Sequence, residues 1–316
     1  MEKLVTIIVP TYNHENYVVD CLNSIKGQTY KRLELLIGDD CSSDKTVEYC
    51  QKWVIENADR FERIQLFKNS QNKGVSKNFN DLIRKASGEY IKLLASDDIL
   101  LDTAIQSFVE NDKDEYDIIF SNAIRIDINA VYPINRGKYT KKIYNSPPAS
   151  GDNIKQELLH GDYIAAPTVI FKKRCFDKYG LFREDLKFED WEYWLRITTN
   201  GGIVGYIDCI TVGYRMLEES TSHFSKGDVE EKRFCEFMNS ELKVLNEYSE
   251  NNKDIINEYY NRAMIVCMDN EYDRLISDIA NKPEYKYKIQ ILVRYILYKI
   301  KVYGLLKKIV ATIKGR

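Results

Sequence analysis

The sequence predicts an α/β domain built on a mostly parallel central sheet with flanking helices, followed by a helical C-terminal extension. Three observations carry that expectation. Short apolar or β-branched runs alternate with stretches of helical spacing through the first 125 or so residues. Three of those runs stop in polar loops, Pro10 to Asn13, Asp39 to Asp44 and Ser96 to Asp98. From Asp228 onward the apolar residues recur at helical spacing.

Taken in order, Leu4 to Val9 is a continuous β-branched run bounded by Pro10 and reads as a strand buried on both faces. Tyr17, Val18, Cys21, Leu22 and Ile25 then mark a helix. Leu33 to Ile37 is a second strand, stopped by Gly38-Asp39-Asp40, and Val47, Cys50 and Val54 mark a second helix. Ile64 to Phe67 and the set Phe79, Leu82, Ile83 and Ala86 form a third pair. Tyr90 to Leu94 is the fourth strand, and Asp117 to Ser121 is the fifth. Between them Ile99, Leu101, Ile105, Phe108 and Val109 suggest a helix, which Ser96-Asp97-Asp98 would cap. If the strands are parallel neighbours, the three polar loops converge at their carboxyl ends, where ligands of such sheets sit.

Composition narrows the class. With 316 residues, 44% of them hydrophobic, the chain can bury a sizeable core. A net charge of −2 gives no global reason to expect nucleic acid as a partner. Seven scattered cysteines without a C-x-x-C pair argue against a disulfide framework or a zinc site and suggest a reducing, cytoplasmic setting. No secretory leader is read at the N-terminus, and no uncharged apolar run reaches the roughly 18 residues of a membrane span. Neither G-x-G-x-x-G nor a P-loop occurs, so phosphate charge must be met differently. Adjacent carboxylates at the end of the fourth strand, Asp97 and Asp98, suit a hard divalent cation that bridges to a phosphate. Helix capping is the competing reading of the same residues.

Seven segments, in order, resemble the inverting glycosyltransferases of family 2. They are Val5 to Asn13, Ser24 to Thr29, Glu34 to Thr46, Asn72-Lys73-Gly74 with Asn80, Ala86 to Ile91, Ser96 to Asp98, and Phe188 to Arg196. The resemblance implies a GT-A fold over residues 1–225, with a nucleotide-binding half (1–125) and an acceptor and catalytic-base half (126–225), leaving 226–316 as the helical extension. It implies a nucleoside-diphosphate sugar donor and Mn²⁺ or Mg²⁺. Pro10, Thr11, Tyr12 and Asn13 would frame the nucleotide, with Tyr12 stacked on the base. Asp40 would accept from the base, and Asp39 would contact the nucleotide or hold the loop. An imide N–H opposite a carboxylate favours uridine or thymidine. Lys77 and Asn80 would lie near the phosphates, Ser96 and Asp97 on the ribose or phosphate, and Asp98 on the metal, with His223 as a further ligand. Ala95 departs from the family pattern, which often has an Asp there, and Asn78-Phe79-Asn80 lacks the frequent Arg.

The resemblance places the catalytic base at Asp190, with Glu189 and Trp191 contacting acceptor or sugar, a core role being the alternative for Trp191. Unaided, Glu189-Asp190 reads equally as the acidic first turn of a helix. Residues 127–152 are polar and read as a connection or hairpin over the site. The last segment, 285–316, holds nine Lys or Arg and no acid, interleaved with apolar residues. Such a segment reads as a membrane-surface helix, with a partner helix or a solvated face as alternatives. The expected protein is therefore a glycosyltransferase of cell-surface polysaccharide synthesis with a glycan or lipid-linked acceptor, peripheral on the inner face of the cell membrane. A nucleotidyltransferase, or an inactive sugar-nucleotide-binding module, is the rival.

Overall fold

The computed structural model of the protein describes residues 2–132, 154–215, 217, 224–250, 252–282 and 289–299. It divides into two compact units, residues 1–218 and 219–316.

The first unit is an eight-stranded mixed sheet. Its strands are β1 (Val5–Thr11), β2 (Leu33–Asp39), β3 (Arg63–Lys68), β4 (Tyr90–Leu93), β5 (Ile99–Leu100), β6 (Ile118–Ile126), β7 (Val169–Lys172) and β8 (Val204–Arg215). Their order across the sheet is β3-β2-β1-β4-β7-β6-β8-β5. The first four of that order are mutually parallel, while β7 is antiparallel to both β4 and β6. β8 is parallel to β6, and β5 runs against β8.

Seven helices belong to this unit: α1 (Val18–Lys26), α2 (Thr46–Asn57), α3 (Val75–Ile83), α4 (Ala104–Glu110), α5 (Ile154–His160), α6 (Arg174–Tyr179) and α7 (Asp190–Thr199). Every residue of β2 is buried, as are Val5 to Val9 of β1, which is why both read as largely apolar runs, with Thr6 and Glu34 paired inside them. The core gathers Ile7, Val9, Leu22, Ile25, Leu35, Ile37, Ile105 and Phe108 from both sheet and helices. Gly38 lets α3 close on β2, because a Cβ there would meet Asn78 Oδ1 at 2.6 Å, and the Asn78 amide instead donates to the Gly38 carbonyl at 2.7 Å.

Two sequence expectations give way here. Ile99 and Leu100 do not open a helix; they pair with Gly213 and Val212, and α4 starts only at Ala104. Ser96-Asp97-Asp98 is accordingly not a helix cap, and Asp98 accepts a backbone bond from Arg215 across the sheet. The long strand β8 also went unread, since its glycines and polar residues hide an alternation that only pairing with β6 reveals.

The second unit is helical, with α8 (Asp228–Tyr248), α9 (Lys253–Asn270), α10 (Asp273–Ala280) and α11 (Ile289–Lys299). α9 packs against the other three. The Asn252 side chain caps α9 by accepting from Asp254 N at 3.0 Å, and Met264 and Cys267 are fully buried. Among the described residues no helix is long and apolar enough to cross a membrane.

Candidate active site

Because β2, β1 and β4 are adjacent and parallel, the loops that follow them leave from one edge of the sheet. The strand order reverses between β1 and β4, the place where ligands settle in sheets of this kind.

The first two loops are stitched together by side-chain to backbone bonds. Thr11 Oγ1 donates to Asp39 Oδ1 at 3.0 Å, and Asp39 also accepts from Ser42 N and Ser42 Oγ. Asn13 N donates to Ser42 Oγ at 2.9 Å while Asn13 Oδ1 accepts from Ser43 N at 2.9 Å. Glu15 N donates to Asp44, and Lys45 N returns a bond to Glu15. The stitching holds Asn13 and Cys41 at φ of 52° and 67°, a left-handed backbone that non-glycine residues seldom adopt and that clusters at functional sites. Asp39, 2% exposed, is the post of this loop. Asp40 accepts from Asn69 Nδ2, Lys73 N and Gly74 N at 2.8–3.0 Å, with two bonds on each carboxylate oxygen, which pins the approach to α3. Between these anchors the Tyr12 ring stands 46% exposed, open to a stacking partner.

The third loop joins them through His14, whose Nδ1 lies 2.7 Å from Ser96 Oγ. Arg215, at the end of β8, fixes its far side. Fully buried, the Arg215 guanidinium donates to the carbonyls of Asp97, Asp127, Ile128 and Ala130 at 2.7–3.0 Å and lies over the Tyr17 ring. Asp98 is 1% exposed; its Oδ1 takes the Arg215 N–H at 2.9 Å, and its Oδ2 has no hydrogen-bond partner among the described residues. Burial, reinforced by the charge of Asp97, pushes the Asp98 carboxyl well above the usual range. A buried carboxylate oxygen without a donor fits a cation. No group of three or more His, Cys, Asp or Glu that could hold a metal occurs among the described residues, so Asp98 would be helped by water or by the substrate's phosphates.

Asp190 opens α7, which packs against the segment that leads into β7. β7 runs antiparallel to β4, with Lys92 opposite Ile170, so the segment entering β7 arrives at the carboxyl end of β4. The Lys92 ammonium is wholly buried and donates to the carbonyls of Leu93, Pro167 and Val169, tying the two segments. Two tryptophans of α7 grip the run before it: Trp191 Nε1 donates to Leu158 O at 2.7 Å and Trp194 Nε1 to Ile164 O at 3.2 Å. Between those two grips lies Asp162, whose Oδ1 accepts from Ile164 N at 3.0 Å. Glu189 and Asp190 are half-buried, and Asp162 is exposed. Burial, then the charge of Asp190, raises the Glu189 carboxyl to about 8. Asp162 is pushed well above the carboxylate range by burial and then by Asp190. Asp190 is raised by burial, and the bond from Trp191 N opposes that rise.

Several expected contacts lie elsewhere. Asn80 is 1% exposed, and its amide clamps the turn at Phe182 and Glu184. Lys77 pairs with Glu184 at 3.5 Å. Trp191 is buried and bonded to α5, so it is packing and not a stacking surface for sugar. Thr11 and Ser96 are buried within the loop network, Pro10 is half-buried in β1, and His223 lies outside the described residues. Asp162, Arg215 and the His14–Ser96 bond went unread.

The family profile for glycosyl transferase family 2 matches residues 6–180, and the chain belongs to that family. An uncharacterized glycosyltransferase of Haemophilus influenzae is 27% identical over 69% of this chain and 67% of its own length. The Escherichia coli UDP-Glc:alpha-D-GlcNAc-diphosphoundecaprenol beta-1,3-glucosyltransferase WfaP is 27% identical over 70% of this chain and 80% of its own. Longer relatives from Rickettsia species are spanned over 27–31% of their length. Among solved structures, Staphylococcus aureus TarS 1-349 in complex with UDP-GlcNAc superposes with a TM-score of 0.58 at 18% identity, over 88% of this chain and 89% of that one. A Pyrobaculum calidifontis mannosyltransferase in complex with GDP-Man and Mn²⁺ gives 0.53 at 15% identity, over 98% and 88%. These likenesses establish the GT-A-like fold.

Proposed function

We propose that the protein is an inverting glycosyltransferase that moves a sugar from a UDP-sugar, or a TDP-sugar, to a hydroxyl of a lipid-linked glycan during cell-surface polysaccharide synthesis. The observation that carries this reading is the buried Asp98, with an orphan carboxylate oxygen, at the carboxyl end of β4 beside the crevice between β1 and β4. The UDP-linked donor and diphosphoundecaprenol acceptor in the name of WfaP, and the UDP-GlcNAc bound to TarS, support the substrate classes.

In this reading Tyr12 stacks on the base and Asp40 accepts its imide N–H. Asp98 would hold a Mn²⁺ or Mg²⁺ ion, whose charge would offset that of the departing diphosphate. Asp190 accepts the acceptor hydroxyl's proton as that oxygen attacks C1 from the face opposite the diphosphate. The new C1–O bond forms as the C1–phosphate oxygen bond breaks, and the electron pair leaves with the nucleotide. The basic 285–316 segment would hold the enzyme at the membrane that carries such an acceptor; its described helix exposes Val293, Arg294 and Ile296.

The test is turnover of a panel of UDP-, TDP- and GDP-sugars with an undecaprenyl-diphosphate-linked acceptor, with Mn²⁺, Mg²⁺ or chelator. UDP- or TDP-sugar consumption that requires the ion and is lost in Asp98→Asn is the expected result. Ion-independent turnover would remove Asp98 from its role, and release of pyrophosphate in place of a nucleoside diphosphate would favour a nucleotidyltransferase.

A further inference from the structure

The ladder between β1 and β4 stops before the loops that follow them begin. β4 pairs with β1 as far as Ile8 and Leu93, with a last bond from Leu94 N to Ile8 O at 3.0 Å, whereas β1 continues beside β2 to Thr11 and Asp39. Beyond Leu94, strand pairing no longer fixes the distance between the loop that carries Tyr12 and the loop that carries Asp98. A side chain spans it instead. His14 Nδ1 lies 2.7 Å from Ser96 Oγ, and Ser96 is wholly buried. A serine hydroxyl both donates and accepts, so this bond forms with either tautomer of the imidazole. The ring starts from a fixed base: His14 N donates to Thr46 Oγ1 at 2.8 Å at the head of α2, and His14 O accepts from Tyr17 N and Val18 N as α1 begins. The imidazole meets the Tyr17 ring edge-on, with centroids 6.0 Å apart, and Tyr17 in turn lies against the Arg215 guanidinium.

We infer that His14 is a positioning residue for the donor's diphosphate: it sets the span between Tyr12 and Asp98, so that a nucleotide stacked at one end presents its phosphates to a cation held at the other. This rests on the reading of Tyr12 and Asp98 given under the proposed function. The Asp98 loop has two posts. Arg215 ties it to β8, through Asp97 O and Asp98 Oδ1, and His14 ties it to the residues next to Tyr12. A base and its diphosphate are joined by a ribose of fixed length, so the two ends of the site must be held at a matching separation. A misplacement of about 1 Å at one end turns a two-point fit into a one-point fit. Loss of the His14–Ser96 bond should therefore harm only ligands that reach both ends. A side chain that merely kept the Tyr12 loop folded would weaken every ligand of that loop, a plain nucleoside included.

The experiment is calorimetric titration of the full chain with uridine and with UDP, each in Mn²⁺ and in EDTA. Wild type, His14→Ala, His14→Asn, Ser96→Ala and the His14→Ala/Ser96→Ala double variant are compared. In wild type Mn²⁺ should tighten UDP and leave uridine unmoved. His14→Ala should weaken UDP roughly tenfold in Mn²⁺, while uridine, and UDP in EDTA, stay within about twofold of wild type. Asn places an amide where the imidazole has Nδ1, so His14→Asn should recover most of the loss. Ser96→Ala removes the same bond from the other loop, so the test does not hang on the folding of one variant. It should match His14→Ala, and the double variant should bind UDP no more weakly than either single one, because both remove one interaction. Wild-type affinity of His14→Ala for UDP in Mn²⁺, a loss shared equally by uridine, or additive losses in the double variant would overturn the inference and leave Asp98 as the cation's ligand. UDP that binds wild type no more tightly in Mn²⁺ than in EDTA would instead overturn the cation reading of Asp98, and the inference with it.

Discussion

The donor side and the base side of this site are built on opposite plans. Around Tyr12, nearly every polar group of the β1 and β2 loops is already paired, through Thr11–Asp39, Asn13–Ser43, Glu15–Asp44 and the three donors on Asp40. Around Asp190, three acids crowd together and their ionisation is shifted upward. The first arrangement is rigid and holds a shape against which a nucleotide can be laid; the second stores protonation states. A transferase that must bind one substrate tightly and deprotonate another has use for both, and keeping them on separate elements lets each be tuned alone.

The contrast is open to attack by substitution. The largest effect is expected on the base side, where Asp190→Asn should lower kcat about a hundred- to ten-thousand-fold without weakening UDP, measured by steady-state turnover and by thermal shift. Next comes Arg215→Met, which strips four carbonyls of their donor. It should cost about 3 kcal/mol of unfolding free energy in urea denaturation. Tyr12→Ala, on the donor side, should weaken UDP roughly tenfold in calorimetry while leaving stability unchanged, because the ring is exposed and stacking on a base is worth about 1–3 kcal/mol. The smallest effect concerns pH. Glu189 binds its proton more tightly folded than unfolded, so it costs nothing below the ordinary Glu value of 4.5 and destabilises progressively as pH rises to about 8. Melting temperature should therefore fall by a few degrees across that range, and Glu189→Gln should flatten the fall; an equal slope in both proteins would place the charge elsewhere.

Much of the scaffold could be read in the chain. β1, β2 and β4 announce themselves because strands buried on both faces are mostly apolar, with the buried Glu34 and Lys92 as exceptions, and their loops because several Asn, Asp and Ser cluster at successive strand ends. β5 could not be read: Ile99 and Leu100 belong to a strand only through pairing with β8 more than a hundred residues later. The site divides in the same way. Asp98 and Asp190 lie in local motifs, and their segments were legible. Asn80 and Trp191 share those motifs yet point inward, since spacing does not tell which face a side chain takes. Asp162 lies in no motif; its place beside α7 arises from two indole N–H bonds that a linear reading does not contain.

The shortness of β5 has a consequence for how this molecule keeps to itself. It borders the eight-stranded sheet with just two residues, too few to template the addition of a foreign strand. The opposite border, β3, is longer but carries Arg63 and Lys68 and buries none of its residues fully. Neither edge invites another chain to extend the ladder, so a protein with so broad a sheet can work at high local concentration without zipping into its neighbours.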